Sequence, residues 1–201
     1  MNGGASSSYE PMVVTLAGNG AQGAPVARTL AHRAPGVLHL AVSIQVVDEG
    51  GAGWLLQRRA TTKALFPDRW ANTCCTHPAP GENPEDAARR RLREETGLVA
   101  RDLLIAGSFT YRATDGGSGL VEHEHDEVFV AVVNTRGIDP DPAEISEIAL
   151  LPFKDAVRLL QTDAAAPWAA TVLAQSRAAL KRHRRVPSAY LSLDRKERDV
   201  P

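Results

Sequence analysis

The stretch G-E-N-P-E-D-A-A-R-R-R-L-R-E-E-T-G-L, from Gly81 to Leu98, is the most sharply bounded element of the chain. Asn83 is a good N-cap, because its side-chain oxygen can accept from a free backbone N–H of the first turn. Pro84 suits the first helical position, where no N–H is needed. Glu85 and Asp86 bring negative charge to the positive end of the helix dipole. Gly97 tolerates the left-handed conformation that closes a helix. The spacing therefore predicts a helix over 84–96. Arg91 and Glu95 lie four apart on it and share a face, with Glu94 beside Glu95. A solvated helix laced with salt bridges has the same pattern, so the helix by itself does not decide a function.

Outside this helix, strand and helix signals alternate. L-H-L-A-V-S-I-Q-V-V (Leu38 to Val47) is β-rich, with period two around His39, Ala41 and Ser43. D-E-G-G-A-G (Asp48 to Gly53) reads as a turn, and W-L-L-Q-R-R-A (Trp54 to Ala60) as the second strand of a hairpin. S-F-T-Y-R-A-T (Ser108 to Thr114) and E-V-F-V-A-V-V (Glu127 to Val133) read as another pair, joined by a loop containing D-G-G-S-G. Ile148 to Phe153 is a further short strand. Helices are expected at 154–160 and 168–181. Hairpins mixed with helices, without regular βαβ units or internal repeats, give an α/β class: an α/β/α sandwich around a mixed central sheet.

Bulk properties exclude several classes. The chain has 201 residues, a net charge of -1 and 43% hydrophobic residues. That composition suits one globular domain, here 12–183, between a Gly/Ser-rich N-terminal tail (1–11) and a charged C-terminal tail (184–201). The balanced charge gives no sign of a general nucleic-acid binder. No apolar run approaches the roughly 20 residues of a membrane span. The N-terminus lacks the basic-then-apolar order of a signal peptide. Cys74 and Cys75 are the only cysteines. Adjacent residues make a strained disulfide, so both read as free thiols in a reducing cytoplasm.

Those cysteines stand in N-T-C-C-T-H-P-A-P-G-E, Asn72 to Glu82. With the helix, this stretch carries a family resemblance. Glu82, Arg90, Leu92, Glu94, Glu95, Gly97 and Leu98 fall on the pattern of the Nudix box, the metal-and-diphosphate helix of a large superfamily. Arg91 stands where that box has a further glutamate. A Nudix hydrolase needs clustered carboxylates for its metals, so a cation there argues against hydrolysis and suits a grip on a diphosphate. F-P-D-R-W-A-N-T-C-C-T-H-P (Phe66 to Pro78) closely resembles the type I isopentenyl-diphosphate isomerases, which use a modified Nudix fold. It departs from their pattern at Asp68, Ala71 and Thr76. Leu38 to Ala41, Arg58 to Lys63, Tyr111 to Ala113, Glu122 to Glu124 and Ala166 to Trp168 follow in the family's order. The resemblance covers about residues 12 to 180.

The resemblance implies a metal site of His32, His39, His77, Glu122 and Glu124, taking Mn²⁺, Mg²⁺ or Zn²⁺. Imidazole with carboxylate suits several of these ions. Glu122 and Glu124 share one face of a strand, and His123 and His125 share the other. The latter pair is a competing H-x-H ligand set, though a surface or packing role fits it better. The resemblance further implies Cys75 and Glu124 as an acid/base pair on opposite faces of the substrate, assisted by Tyr111. Trp168 would set its ring against a developing cation. Arg59, Lys63 and Arg91 would bind the diphosphate of a small prenyl substrate, and Glu95 a substrate-borne Mg²⁺. Cys74 reads as a packing residue, and Arg58, alternating away from Arg59, as structural or exposed. The implied activity interconverts isopentenyl and dimethylallyl diphosphate. The alternatives are a Nudix hydrolase of a diphosphate and an isomerase homologue acting on another prenyl diphosphate.

Overall fold

A computed structural model describes residues 10–51 and 53–183. The C-terminal tail, and all of the N-terminal tail but its last two residues, lie outside them. The chain runs β1 (Met12–Leu16), β2 (Gln22–Ala27), α1 (Arg28–Ala31), β3 (His39–Asp48), β4 (Trp54–Arg59), β5 (Trp70–Ala71) and β6 (Cys74–Thr76). It continues through α2 (Pro84–Thr96), β7 (Leu104–Thr114), β8 (Val121–Val133), β9 (Ile145–Leu151), α3 (Phe153–Leu160) and α4 (Ala169–Arg182).

Helix α2 has the expected ends. The Asn83 side chain accepts from the Glu85 N–H at 2.8 Å. Gly97 closes the helix with φ 69°, and its N–H bonds the Arg93 carbonyl at 2.9 Å. The helix buries Ala88 and Leu92 against Val42, Ile44, Val46 and Cys74. Leu92 is fully buried, a placement worth about 1.5–3 kcal/mol. On the opposite side of the sheet, α3 and α4 cover a second core containing Val47, Leu56, Val128, Val130, Val172 and Leu173. Helices on both faces make the expected sandwich.

The hairpin expectations need refinement. β3 and β4 pair only beside their turn, at Val46↔Leu55 and Val47↔Trp54. Over its whole length β3 instead runs parallel to β8, from His39↔Glu124 to Asp48↔Val133. β4 turns away to pair with β9. Because helices cover both faces and strands flank both edges, all ten residues of β3 are buried. Its period-two pattern therefore separates two buried faces. The second predicted pair is real but longer: β7 and β8 run antiparallel from Leu104↔Val130 to Thr114↔Val121. β8 starts six residues before the apolar run, inside V-E-H-E-H-D. The antiparallel β1–β2 hairpin and the short α1 carry no strong signal in the sequence. Among the described residues no helix is long and apolar enough to cross a membrane.

Candidate active site

Strand register assembles the site. Glu124 of β8 is level with His39 of β3 on one side and Tyr111 of β7 on the other. Four residues further along β3, Ser43 is level with Cys75 of β6. His77 follows β6 directly, and His32 caps the end of α1. One ligand atom from each of His32, His39, His77, Glu122 and Glu124 can be chosen so that all lie within 4.8 Å of one another.

Second contacts aim these ligands. The Nδ1 atoms of His32 and His39 lie 2.7 Å from the carbonyls of Arg28 and Val37. A carbonyl can only accept, so each Nδ1 carries the proton and each Nε2 lone pair faces the cluster. Nε2 of His39 and of His77 stand 3.1 Å apart. A divalent cation between them would take both nitrogens as ligands. The donor set fits a divalent ion. His123 and His125 do not join it: they turn to the Gly36 carbonyl (3.2 Å) and the Thr110 hydroxyl (2.9 Å).

Without an ion between them, His32, His77, Glu122 and Glu124 are pushed in different directions. Burial pushes His77 down to about 4, despite its 2.8 Å contact with Glu124. It is therefore neutral at pH 7 and can ligate. Burial works against the Glu124 carboxylate, but its close contacts with the imidazoles of His39 (3.5 Å) and His77 (2.8 Å) outweigh it and hold the group well below the usual range. Burial, and then the charge on Glu124, push Glu122 up to about 7. Burial lowers His32, yet its bond to Glu122, at 3.0 Å, raises it overall. One proton is thus shared between His32 and Glu122 near neutrality. A cation must displace it, so metal affinity should fall by about tenfold per pH unit as pH drops below 7. Calorimetric titration of Mn²⁺ at pH 6 and pH 8, in buffers of different ionisation enthalpy, measures the proton released. Equal affinities with no proton release would contradict this.

The cluster opens into a cavity of ≈ 790 Å³, which Cys75, Tyr111, Trp168, Arg59, Lys63 and Arg91 also line. The Tyr111 hydroxyl donates to the second Glu124 oxygen at 2.6 Å. Burial and the neighbouring carboxylate push this phenol well up, so it stays a donor. Burial and the charge of Asp126 push the Cys75 thiol up to about 12, so it is neutral. Cys74 is fully buried in the core beneath α2. Trp168 packs edge-on to Phe66 at 5.5 Å and lies 5.8 Å from Tyr111.

The cations divide into two groups. Arg59 is 9% exposed; its guanidinium donates to the carbonyls of Leu65 and Phe66 and lies 5.5 Å from the Trp168 ring. It thereby holds Phe66, whose φ of 46° is uncommon for a bulky residue. Arg58 is half-buried and pairs with Asp68 and Glu147. Arg91 bonds Glu95 at 2.6 Å, Glu144 at 2.5 Å and Glu94 at 3.2 Å. Glu144 also pairs with Lys63. Glu95 is only 3% exposed and lies behind Arg91, not on the cavity wall. Burial pushes it up to about 7, against the attraction of Arg91.

Sequence reasoning missed several residues at this site. Arg28 lines the cavity, and Glu144 joins Lys63 to Arg91. Ser43 links Asp126 to Cys75: its hydroxyl is 2.6 Å from the carboxyl and 3.2 Å from the sulfur. Asn72 contacts both Cys75 and Trp168. Ser43 is a polar residue in the apolar run of β3, and Asn72 opens the N-T-C-C-T-H-P stretch in the link between β5 and β6; those placements were the available signal.

The NUDIX domain model matches residues 37–175. The isopentenyl-diphosphate Delta-isomerase of Nocardia farcinica is 46% identical over 163 residues, which is 80% of this chain and 90% of that protein. This chain belongs to the isopentenyl-diphosphate Delta-isomerase family of Nudix proteins. A second member, from Streptomyces griseus, is 46% identical over 75% of this chain and 76% of its own. Among solved structures, the DR0079 protein of Deinococcus radiodurans superposes with a TM-score of 0.66, covering 82% of this chain and 98% of that one. At 20% identity this last likeness shows the Nudix fold alone. Within the isomerase family's frame, the box helix α2 carries Arg91 among its carboxylates, and Arg90 and Arg91 line the same cavity as His32, His77, Glu122 and Glu124.

Proposed function

We propose that the protein interconverts isopentenyl and dimethylallyl diphosphate, and that residues 12–183 form the domain that does so. The observation that carries this is the placing of Cys75, Glu124 and Tyr111 on one cavity beside five convergent metal ligands, in a chain of this family. Moving the double bond from C3=C4 to C2=C3 needs a proton added at C4 and another taken from C2. Cys75 and Glu124 are the acid/base pair, one giving and one receiving. The electron pair of the broken C2–H bond forms the new double bond. Carbon is a poor base, so the acid must be held in place and shielded from water.

The thiol and the phenol are both neutral, and the Glu124 carboxylate is the charged partner. Tyr111 orients that carboxylate through its 2.6 Å bond. Trp168 presents a π face toward the positive charge that develops at C3. Mg²⁺, Mn²⁺ or Zn²⁺ held by His32, His39, His77, Glu122 and Glu124 would set positive charge beside Glu124 and tune its readiness to exchange a proton. Arg59, Lys63 and Arg91 are assigned to the diphosphate; Glu95, set behind Arg91 and off the cavity wall, braces that guanidinium rather than meeting a substrate-borne Mg²⁺. Two free thiols, one of them facing the cavity, suit a reducing cytoplasm.

The test is incubation with isopentenyl diphosphate and Mg²⁺ in deuterated water, read by NMR. Deuterium-labelled dimethylallyl diphosphate is the expected product. Release of phosphate or of an isoprenyl monophosphate, with no labelled isomer, would assign the chain to hydrolysis instead. Turnover of longer prenyl diphosphates alone would assign another substrate.

A further inference from the structure

Asn72 lies in the link between β5 and β6 and has no part in the chemistry above. It is fully buried. Its Oδ1 accepts from the Trp168 indole N–H at 3.1 Å and from the Cys75 thiol at 3.3 Å. Its Nδ2 donates to the carbonyls of Ile44 (3.1 Å) and Cys74 (2.9 Å) and lies 3.2 Å from the Cys75 sulfur. The orientation of this amide is not arbitrary. An indole nitrogen only donates and a carbonyl only accepts, so the oxygen must face Trp168 and the nitrogen must face the backbone. A buried indole N–H usually needs some partner. Here the partner is the same oxygen that meets the thiol.

We propose that Asn72 is a positioning residue: its amide ties the Cys75 thiol to the Trp168 indole and fixes the distance between the proton-moving group and the ring that faces the cation. The idea rests on the isomerase reading. Trp168, the N-cap of α4, lies 96 residues further along the chain; backbone bonds between Trp70 and Ala164 and Ala166 bring the two segments side by side, and Asn72 adds the side-chain link from thiol to indole. Ser43 steadies the thiol from the other side at 3.2 Å. A thiol hydrogen bond is weak, and a side chain with one χ1 rotor drifts without it. Displacing a reacting group by about 1 Å can cost roughly a hundredfold in rate.

Two measurements test this. In Asn72→Ala, kcat should fall by about ten- to a hundredfold while KM stays within about threefold, the mark of a lost transition-state contact. A loss of folded enzyme would also lower apparent kcat. The ratio of deuterium entering unreacted isopentenyl diphosphate to deuterium in the product is therefore followed as well. That ratio does not depend on how much enzyme is folded, and it should change in Asn72→Ala. An unchanged ratio overturns the proposal.

The second measurement does not need Asn72→Ala to fold, or the enzyme to turn over. In protein with ¹⁵N-labelled indoles, assigned by Trp168→Phe, the Trp168 N–H should exchange slowly with solvent and should shift in Cys75→Ala. The Trp54 signal serves as the control. A Trp168 N–H that exchanges freely, or that ignores Cys75→Ala, sinks the link. Wild-type protein that fails to isomerise would sink the functional reading while the indole experiment still reports on the thiol–indole connection.

Discussion

Cys75→Ala is expected to lower isomerisation by about 10³-fold or more, within the range for losing a positioned proton donor or acceptor, while Cys74→Ala and Cys74→Ser keep most of it. The two thiols are neighbours in sequence but point to opposite faces of β6. Cys75 lines the cavity with Glu124 and Trp168. Cys74 is fully buried with Ala88 and Leu92 under α2. Burial pushes both thiols up, Cys75 to about 12, so acidity does not separate them and access does. Cys74→Ser should cost some stability, because a hydroxyl buried among apolar side chains lacks a partner. Cys74→Ala should cost less. Steady-state kinetics of the three variants, together with mass-spectrometric mapping of labelling by an epoxide analogue of the substrate, decide the matter. Alkylation on Cys74, or an active Cys75→Ala, would show that Cys75 is not the reacting thiol.

The sequence made α2 legible because both its ends are chemically marked, by Asn83, Pro84 and Gly97. The metal ligands were legible only through a family pattern. His32 and His39 sit on a short helix and a central strand, and Glu122 and Glu124 are 83 or more residues further on. No local spacing joins them; the parallel pairing of β3 with β8 does. That pairing also explains the missed half of β8. Glu122, Glu124 and Asp126 look like a solvated run, yet they are at most 6% exposed because they face the cavity and its floor. The β1–β2 hairpin stayed hidden for a different reason. Q-G-A-P-V-A contains residues disfavoured in strands and forms an edge, where Pro is tolerated. Glu144 lies in the loop P-D-P-A-E, with no motif to mark it, and gains its meaning only from Lys63 and Arg91.

Arg91→Glu should remove isomerisation and weaken the fold together. Arg91 is one guanidinium set among three carboxylates, Glu94, Glu95 and Glu144. The substitution makes four carboxylates with Lys63 as the cation paired to the group. Glu95 is 4% exposed as a side chain, and breaking such a pair from one side costs about 3–5 kcal/mol. Its carboxyl, already pushed up to about 7 by burial, would rise further without the guanidinium. A carboxyl whose pKa is higher folded than unfolded binds more protons in the folded state. Its contribution to stability is whole below the unfolded value of about 4.5 and is lost as pH rises through the folded value. The stability deficit of Arg91→Glu should therefore be small near pH 5 and large at pH 8, which urea unfolding at the two pH values measures. In kinetics, negative charge against the diphosphate should cost about 2–5 kcal/mol of binding, roughly thirty- to several-thousand-fold in kcat/KM. Arg91→Lys should lose less, since it keeps the charge but not the fork that reaches three carboxylates at once. Diphosphate hydrolysis by Arg91→Glu would appear only where a water reaches phosphorus in line. Wild-type kinetics at pH 5, where the fold of Arg91→Glu is intact, would show that Arg91 braces α2 against Glu144 and has no part in holding the substrate.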